Sequence, residues 1–248
     1  IRGLNIYANY NIFIMKALLT IEQIKYNKAL TAFSAVFVVI FILLGFWQIE
    51  RAGFKASLIQ EFELEQSKAP KAISGSFKQW SKVFIDGFYD PTQQVLIDNQ
   101  IKDGMVGYKI YTPFYYEQDQ AIFVDRGWIS QGRTRNDLPN VNFNATKSRI
   151  VGSLVKPEKE VLAGAELLTN EWPLVSQTKS PSIIQQAYDK KFSDMVLILD
   201  PGSQFINEYV ALTPFVITPT KHYGYALQWF TMSLVLAGMF IYAIKRES

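Results

Sequence analysis

Two uncharged apolar segments constrain the fold of this chain more than any other feature of its sequence. They cover residues 29–49 and 223–244, one towards each end of the 248 residues. Each is long enough to cross a bilayer as a helix, which takes roughly 20 residues at about 1.5 Å per residue. Trp47, Tyr223 and Trp229 stand at their ends, where aromatic side chains favour the membrane interface. The sequence therefore predicts a membrane protein with two transmembrane α-helices.

The first segment is interpreted as a retained anchor rather than a cleaved signal peptide. The apolar region of a signal peptide is shorter, about 7 to 15 residues, and small residues form a cleavage site after it. Here the segment continues into Phe-Trp-Gln-Ile at residues 46–49, which offers no such site. The chain begins at Ile1, and Met15 opens a basic stretch before the span. Residues 1–14 are therefore interpreted as an extension upstream of the native start.

Basic residues beside the two spans predict the orientation of the chain. The positive-inside rule places in the cytoplasm the flanks that are richer in such residues, here Lys16, Lys25, Lys28, Lys245 and Arg246. The central domain would then face the periplasm or an equivalent space, and the expected location is the bacterial inner membrane, as a multi-pass protein. Its predicted parts are a cytoplasmic segment (1–28), transmembrane helix 1 (29–49), a periplasmic domain (50–221), transmembrane helix 2 (222–244) and a cytoplasmic tail (245–248).

The domain between the spans is predicted to be an α+β domain with an antiparallel β-sheet or a small barrel. Aromatic and β-branched residues predict strands at residues 95–97, 108–116, 121–129, 148–155 and 195–199. The polar residues 117–120 join two of these strands into a hairpin. Residues 51–66 are expected to continue the first span as a helix, and a second helix is expected to begin near Pro181.

The sequence lacks the signatures of most catalytic sites, so we do not expect an enzyme. It contains no cysteine and one histidine, which excludes thiolate sites and clusters of histidines around a metal. Glycine-rich phosphate loops and nucleophile motifs are absent from it. The formal net charge of +3 is too small to indicate a nucleic-acid partner. A membrane-anchored enzyme consequently has little support.

The single histidine, His222, opens the second span and is the residue around which a site can be predicted. On a helix, Tyr225 and Trp229 share its face, and Trp47 and Arg51 end the first span on the same side of the membrane. Such a cluster suits a haem, because imidazole can bind the iron, aromatic rings can stack and a guanidinium can pair with propionates. The alternative is an interfacial belt of amphipathic side chains, which the residues alone favour.

Five motifs occur along the chain in an order that is typical of one family. They are Leu-Gly-Phe-Trp-Gln-Ile-Glu-Arg at 44–51, Gly-Tyr-Lys-Ile-Tyr-Thr-Pro at 107–113, Val-Asp-Arg-Gly-Trp-Ile at 124–129, Trp-Pro at 172–173 and Lys-His-Tyr-Gly-Tyr-Ala-Leu-Gln-Trp-Phe at 221–230. Together they resemble the Surfeit locus protein 1 family over nearly the whole chain from Met15 onwards. Asp125 departs from the Asn that is usual in the family, and Ser130 stands where Pro often follows.

The resemblance implies a chaperone that assists assembly of haem-copper cytochrome c oxidase by helping to insert haem a into its large subunit. In bacterial members the histidine that opens the second span is implicated in binding haem a. That residue corresponds to His222, which shifts the balance from the interfacial belt to the haem site. The implied partners are the oxidase large subunit and membrane lipid, with haem a synthase as a further candidate.

A membrane scaffold is the alternative function. It would stabilise oxidase-subunit intermediates without binding a cofactor, and the Gly-Tyr and Arg-Gly-Trp strand residues would then mark a protein-binding face. Even in this case we expect Arg126 and Trp128 to pack inside the domain, because a tryptophan beside glycine in a strand usually belongs to the core.

Overall fold

A computed structural model describes residues 28–117, 120–134, 137–144, 147–157, 169, 171–215 and 217–246 of the chain. The predicted cytoplasmic segment at residues 1–28 and the predicted start after residue 14 lie almost wholly outside these residues. The chain divides into two compact units, Ile1–Gln60 with Phe215–Ser248, and Glu61–Pro214. Most of two long helices belongs to the first unit, and a β-sheet belongs to the second.

The two long helices contain the predicted spans. They are α1 (Lys28–Ser67) and α3 (Pro219–Arg246), and both are long and apolar enough to cross a membrane by length and composition. Their apolar side chains are largely exposed, for example Leu43 at 61% and Leu234 at 75%. This exposure distinguishes them from the core helix of a soluble domain, which buries its apolar face.

Helix α1 continues well beyond the first predicted span, which confirms the helix expected at residues 51–66. It ends at Ser67, shortly before Pro70. Proline disfavours the helical conformation in the residue that precedes it, so the helix stops ahead of this position.

The second unit is built on an eight-stranded sheet with the order β1-β2-β6-β8-β5-β4-β3-β7. The strands are β1 (Lys71–Ala72), β2 (Lys82–Tyr89), β3 (Val95–Lys102), β4 (Met105–Tyr116), β5 (Gln120–Ser130), β6 (Lys147–Val155), β7 (Leu174–Ser176) and β8 (Phe192–Leu199). A short helix, α2 (Pro181–Ile184), continues into a 3-10 turn (Gln185–Ala187) before β8. Strand β2 also pairs with β4, so β2, β6, β8, β5 and β4 form a closed ring.

The sheet is mixed, so the prediction of an antiparallel sheet was wrong. The pairs β1–β2, β3–β7 and β5–β8 are parallel, and the other pairs are antiparallel. The predicted hairpin of β4 and β5 is present. A hairpin has a local signature, whereas parallel strands are joined by long connections that leave no pairing signal in the sequence. The sequence pattern therefore showed one pairing, the β4–β5 hairpin.

Aromatic side chains fill the interior of this unit. Phe123 of β5 stacks on Phe192 of β8 with ring centroids 4.1 Å apart, across one of the parallel pairs. Tyr89 of β2 stands edge-on to Phe114 of β4 at 4.8 Å, beside the pairing that closes the ring. Buried aromatic pairs of this kind contribute about 0.5–1.5 kcal/mol each beyond their buried area.

Buried Tyr89 and partly buried Tyr188 differ in how their hydroxyl groups are satisfied. The Tyr188 hydroxyl donates a hydrogen bond to the carbonyl oxygen of Gln93 at 2.7 Å. Tyr89 is 3% exposed, and its hydroxyl has no hydrogen-bond partner within the part of the chain that the structure describes. Burial raises the pKa of both hydroxyls above the ordinary value for tyrosine, so both stay protonated at neutral pH.

Replacing these tyrosines with phenylalanine is expected to change stability in opposite directions. Tyr89→Phe removes an unpaired buried hydroxyl and should raise the free energy of unfolding by about 1 kcal/mol, whereas Tyr188→Phe removes a hydrogen bond and should lower it by about 1 kcal/mol. Denaturant titration of the chain in detergent, followed by tryptophan fluorescence, measures both changes. A stability loss in Tyr89→Phe would contradict the unpaired state of its hydroxyl.

Candidate functional site

Helices α1 and α3 pack against each other as an antiparallel pair. Early residues of α1 meet late residues of α3 in a series of contacts, namely Val38 with Ser233, Phe41 with Trp229, Gly45 with Phe230, and Gln48 with His222. On α1 these contacts recur at intervals of three or four residues, which is the spacing of one helix face. Two residues of the candidate site, His222 and Trp229, belong to this contact between the helices.

Gly45 allows the two helices to approach closely. A Cβ atom at this position would lie 2.6 Å from ring carbons of Phe230, closer than packed atoms tolerate. Ala226, which is 4% exposed, is a small buried residue of α3 on the same face as His222 and Trp229. Small residues are characteristic of closely packed apolar helices, because they let the backbones come together.

His222 and Gln48 form a polar pair between the two helices. Nδ1 of His222 lies 2.7 Å from Oε1 of Gln48, and Gln48 is only 9% exposed. Burying a polar group without a hydrogen bond costs free energy, so each side chain satisfies the other in apolar surroundings. This pair is the most distinctive polar feature of the helix face.

Trp229 lies on the same face as His222, as the helical spacing predicted. Its ring centroid is 5.6 Å from that of Phe41 on α1, two helical turns from His222. An imidazole and a half-buried indole are therefore held on one side of α3 by contacts with α1.

The other three predicted site residues are exposed. The exposed fractions are 49% for Trp47 and 46% for Tyr225. The guanidinium of Arg51 is also exposed and lies 5.9 Å from the Trp47 ring and 6.0 Å from the Phe54 ring. Trp47 and Arg51 therefore contact each other, as their four-residue spacing predicts.

The residue of α1 that meets His222 is Gln48, which the sequence reasoning did not assign to the site. Successive residues of a helix point about 100° apart, so Gln48 projects from a different side than its neighbour Trp47. One feature of the sequence could have pointed to Gln48, namely its position inside an apolar stretch. A buried amide needs a hydrogen-bond partner, so a polar residue on the other helix could have been expected to meet it.

Two of the five family motifs, at residues 107–113 and 124–129, lie in strands β4 and β5, and their large side chains point into the interior of the second unit. Tyr108 and Trp128 are each 1% exposed, and Arg126 is 4% exposed. The expectation that Arg126 and Trp128 pack inside the domain is thus confirmed. These residues offer little surface to a partner protein.

Arg126 joins several segments of the second unit. Its Nε donates to the carbonyl oxygen of Phe205 at 2.8 Å, and its Nη1 donates to Oε1 of Gln94 at 2.7 Å. The guanidinium carbon lies 3.9 Å from the Phe143 ring centroid. Burial lowers the pKa of Arg126 to about 10, which leaves the group charged at neutral pH.

Backbone hydrogen bonds on either side of Gly127 join strand β5 to residues 207–208. The amide of Asn207 donates to the carbonyl of Arg126 at 2.7 Å, and the amide of Trp128 donates to the carbonyl of Glu208 at 2.8 Å. Gly127 lies between them with φ 93°, and a Cβ atom there would stand 2.5 Å from the Glu208 carbonyl oxygen. The Arg-Gly-Trp motif therefore attaches the segment that follows β8 to strand β5.

The donor set on the helices limits which metal group the chain could hold. Among the residues that the structure describes, no three His, Asp or Glu side chains are grouped so as to hold a metal ion. A haem requires less of the protein, because the porphyrin supplies four ligands and a single imidazole can supply an axial one. His222, with aromatic residues on the same helix face, fits a haem on the chemistry of its donor atoms.

These features define a class of protein, one that has two antiparallel apolar helices with a histidine–glutamine pair and a β-rich unit between them in sequence. Residues 35–234, most of the chain, match the SURF1 family. The chain therefore belongs to this family, the Surfeit locus protein 1 family that its motifs resemble, and the recognition made from the sequence is confirmed.

Several relatives are similar over most or part of the chain. A SURF1-like protein of Rickettsia felis is 28% identical over 225 residues, which cover 84% of this chain and 93% of that protein. The corresponding protein of Rickettsia bellii is 24% identical over 227 residues, covering 85% and 88%. The cytochrome oxidase assembly protein SHY1 of Saccharomyces cerevisiae is 27% identical over 133 residues. That match covers 49% of this chain but only 34% of SHY1.

A leucine at Gly45 is expected to disturb the packing of α1 on α3. The added side chain would overlap Phe230, and overpacking of this kind typically costs about 1–3 kcal/mol. The chain has no cysteine, so a cysteine pair at Val38 and Ser233 can report helix contact through oxidative cross-linking. We expect Gly45→Leu to reduce the cross-link yield several-fold.

The matched control is Gly53→Leu on the same helix, because a Cβ atom at Gly53 would meet nothing within 4 Å. This control should leave the cross-link yield unchanged. Equal yields in the two variants would contradict the role of Gly45 in helix packing.

Proposed function

We propose that this chain is a membrane-anchored assembly factor for cytochrome c oxidase, and not an enzyme. Membership of the SURF1 family is the observation that carries the proposal. The name of SHY1, a relative over about half of the chain, associates that protein with cytochrome oxidase assembly. The single histidine is on a helix face and pairs with Gln48 of the other helix, which agrees with a binding role.

In this proposal α1 and α3 span the bacterial inner membrane at residues 29–49 and 222–244. The exposed apolar surface of both helices supports it, because a bilayer would cover that surface. The similarity to Rickettsia proteins supports a bacterial setting. The distribution of basic residues supports a periplasmic domain at residues 50–221, with a cytoplasmic tail at residues 245–248.

Cysteine labelling in spheroplasts tests this orientation, since the natural chain has no cysteine. Ile101→Cys, at a position that is 69% exposed in the domain, should react with a membrane-impermeant maleimide before lysis. Lys245→Cys, at the exposed end of α3, should react only after lysis. The reverse pattern would overturn the proposed orientation.

The finer proposal is that the helix pair binds haem a at His222 for insertion into the oxidase large subunit. When bound, haem a would supply an iron that an imidazole can bind and propionates that a cation can pair with. His222 would be the iron ligand in this proposal, and Tyr225, Trp229 and Trp47 would be its aromatic contacts. Arg51 is the proposed partner of a propionate, since a guanidinium pairs well with carboxylates. Haem a synthase is the proposed source.

Removal of the imidazole tests the ligand role. Chain purified from a host that produces haem a should show the absorption spectrum of bound haem, and His222→Ala should lose most of it. Tyr223→Phe is a matched control, because Tyr223 is the neighbouring aromatic residue and is 52% exposed. Full haem occupancy and an unchanged spectrum in His222→Ala would exclude His222 as the ligand.

A scaffold function without a cofactor is the second candidate, and a cleft in the domain favours it. The cleft has a volume of about 730 Å³, and its lining combines apolar and charged side chains, including Phe77, Tyr116, Lys156, Asp194 and Met195. A cleft of this size and mixed lining could receive a segment of an oxidase subunit. Normal oxidase levels in a cell that carries haem-free His222→Ala would favour the scaffold over the haem carrier.

A further inference from the structure

A histidine that binds iron must present a ring nitrogen without a proton. Neutral imidazole carries its proton on either Nδ1 or Nε2, and the hydrogen bond made by one nitrogen decides which nitrogen is left as the ligand. In metal sites the partner of the other nitrogen fixes both the tautomer and the ring orientation. The partner of His222 therefore matters to any ligand role of this residue.

Gln48 supplies such a partner. Its Oε1 lies 2.7 Å from Nδ1 of His222. An amide oxygen can only accept a hydrogen bond, so this contact requires the proton to be on Nδ1. The lone pair is then on Nε2, at the opposite corner of the ring.

We infer that Gln48 is a positioning residue, which holds His222 in the Nδ1-protonated tautomer and presents Nε2 as the ligating nitrogen. The effect of this positioning on the binding of haem a rests on the function proposed above. The tautomer itself is a property of the chain alone and can be measured without any cofactor.

The surroundings of Gln48 support this role. The side chain is 9% exposed and belongs to the face of α1 that packs on α3, where Gly45 and Phe230 bring the helices together. Loss of the contact would leave the Gln48 amide buried without this partner, which costs free energy. The helix pair therefore favours keeping this hydrogen bond.

A neutral partner also has an electronic consequence. A carboxylate in place of the amide would draw the Nδ1 proton towards itself and make the imidazole a more basic ligand. The uncharged amide of Gln48 draws this proton less strongly. Gln48→Glu should therefore lower the reduction potential of bound haem relative to the natural chain, while it preserves the hydrogen bond.

The tautomer can be observed directly, because His222 is the only histidine of the chain. Nitrogen NMR of chain labelled with ¹⁵N-histidine, in detergent and without haem, should show a protonated Nδ1 and an unprotonated Nε2. Gln48→Leu should shift the population towards the Nε2-protonated tautomer that an unconstrained imidazole favours. Gln228→Leu, a change at an exposed glutamine of α3, should leave the spectrum unchanged. A proton on Nε2 in the natural chain would overturn the inference.

Titration with haem a measures the consequence for binding. Loss of a residue that orients a metal ligand typically weakens affinity by about 10- to 100-fold, and we expect this range for Gln48→Leu. Gln48→Glu should restore affinity, with the lowered reduction potential described above. Unchanged affinity and potential in both variants would overturn the positioning role.

The two measurements separate this inference from the proposed function. If the natural chain holds the predicted tautomer but binds no haem a, the proposed haem function fails and the assignment of Gln48 to the tautomer stands. If haem a binds through His222 while Gln48→Leu changes neither tautomer nor affinity, the haem function stands and the inference fails.

Discussion

The contact between Gly45 and Phe230 is the constraint on which the helix pair depends. It leaves no room for a side chain on α1 and so brings the faces of α1 and α3 together. Close approach allows the short hydrogen bond between His222 and Gln48, and it places Trp229 against Phe41. The polar pair is thus a consequence of apolar packing, since an isolated glutamine in such a helix would lack a partner.

Local patterns in the sequence were sufficient for the helices, one hairpin and the family. Length and apolarity indicate α1 and α3, and aromatic and β-branched residues on either side of a polar turn indicate the β4–β5 hairpin. The five ordered motifs identified the family because each is a contiguous stretch. The parallel pairs β5–β8 and β3–β7 were not predictable, because they join segments that are distant in sequence and carry no signature of their partner.

The candidate site was predicted only in part, because contacts between segments that are distant in sequence leave no local signature. Spacing along one helix placed His222 and Trp229 on one face and Trp47 beside Arg51, and the structure agrees with both. Which face of α1 meets α3 depends on the packing of two helices, and it selects Gln48 instead of Trp47. In the domain, burial shows Arg126 to be an internal connection between segments, a role that its charge alone would not have suggested.

The parallel pairing of β5 with β8 also has a consequence for the order in which the chain can fold. During synthesis β5 and its hairpin partner β4 appear well before β8, because β6, β7 and α2 intervene. Until β8 arrives, one side of β5 presents unpaired backbone groups, which are prone to pair with other chains. Contacts between distant segments also form slowly. The ring closes late in synthesis, and a chain interrupted before residue 192 retains an exposed strand edge.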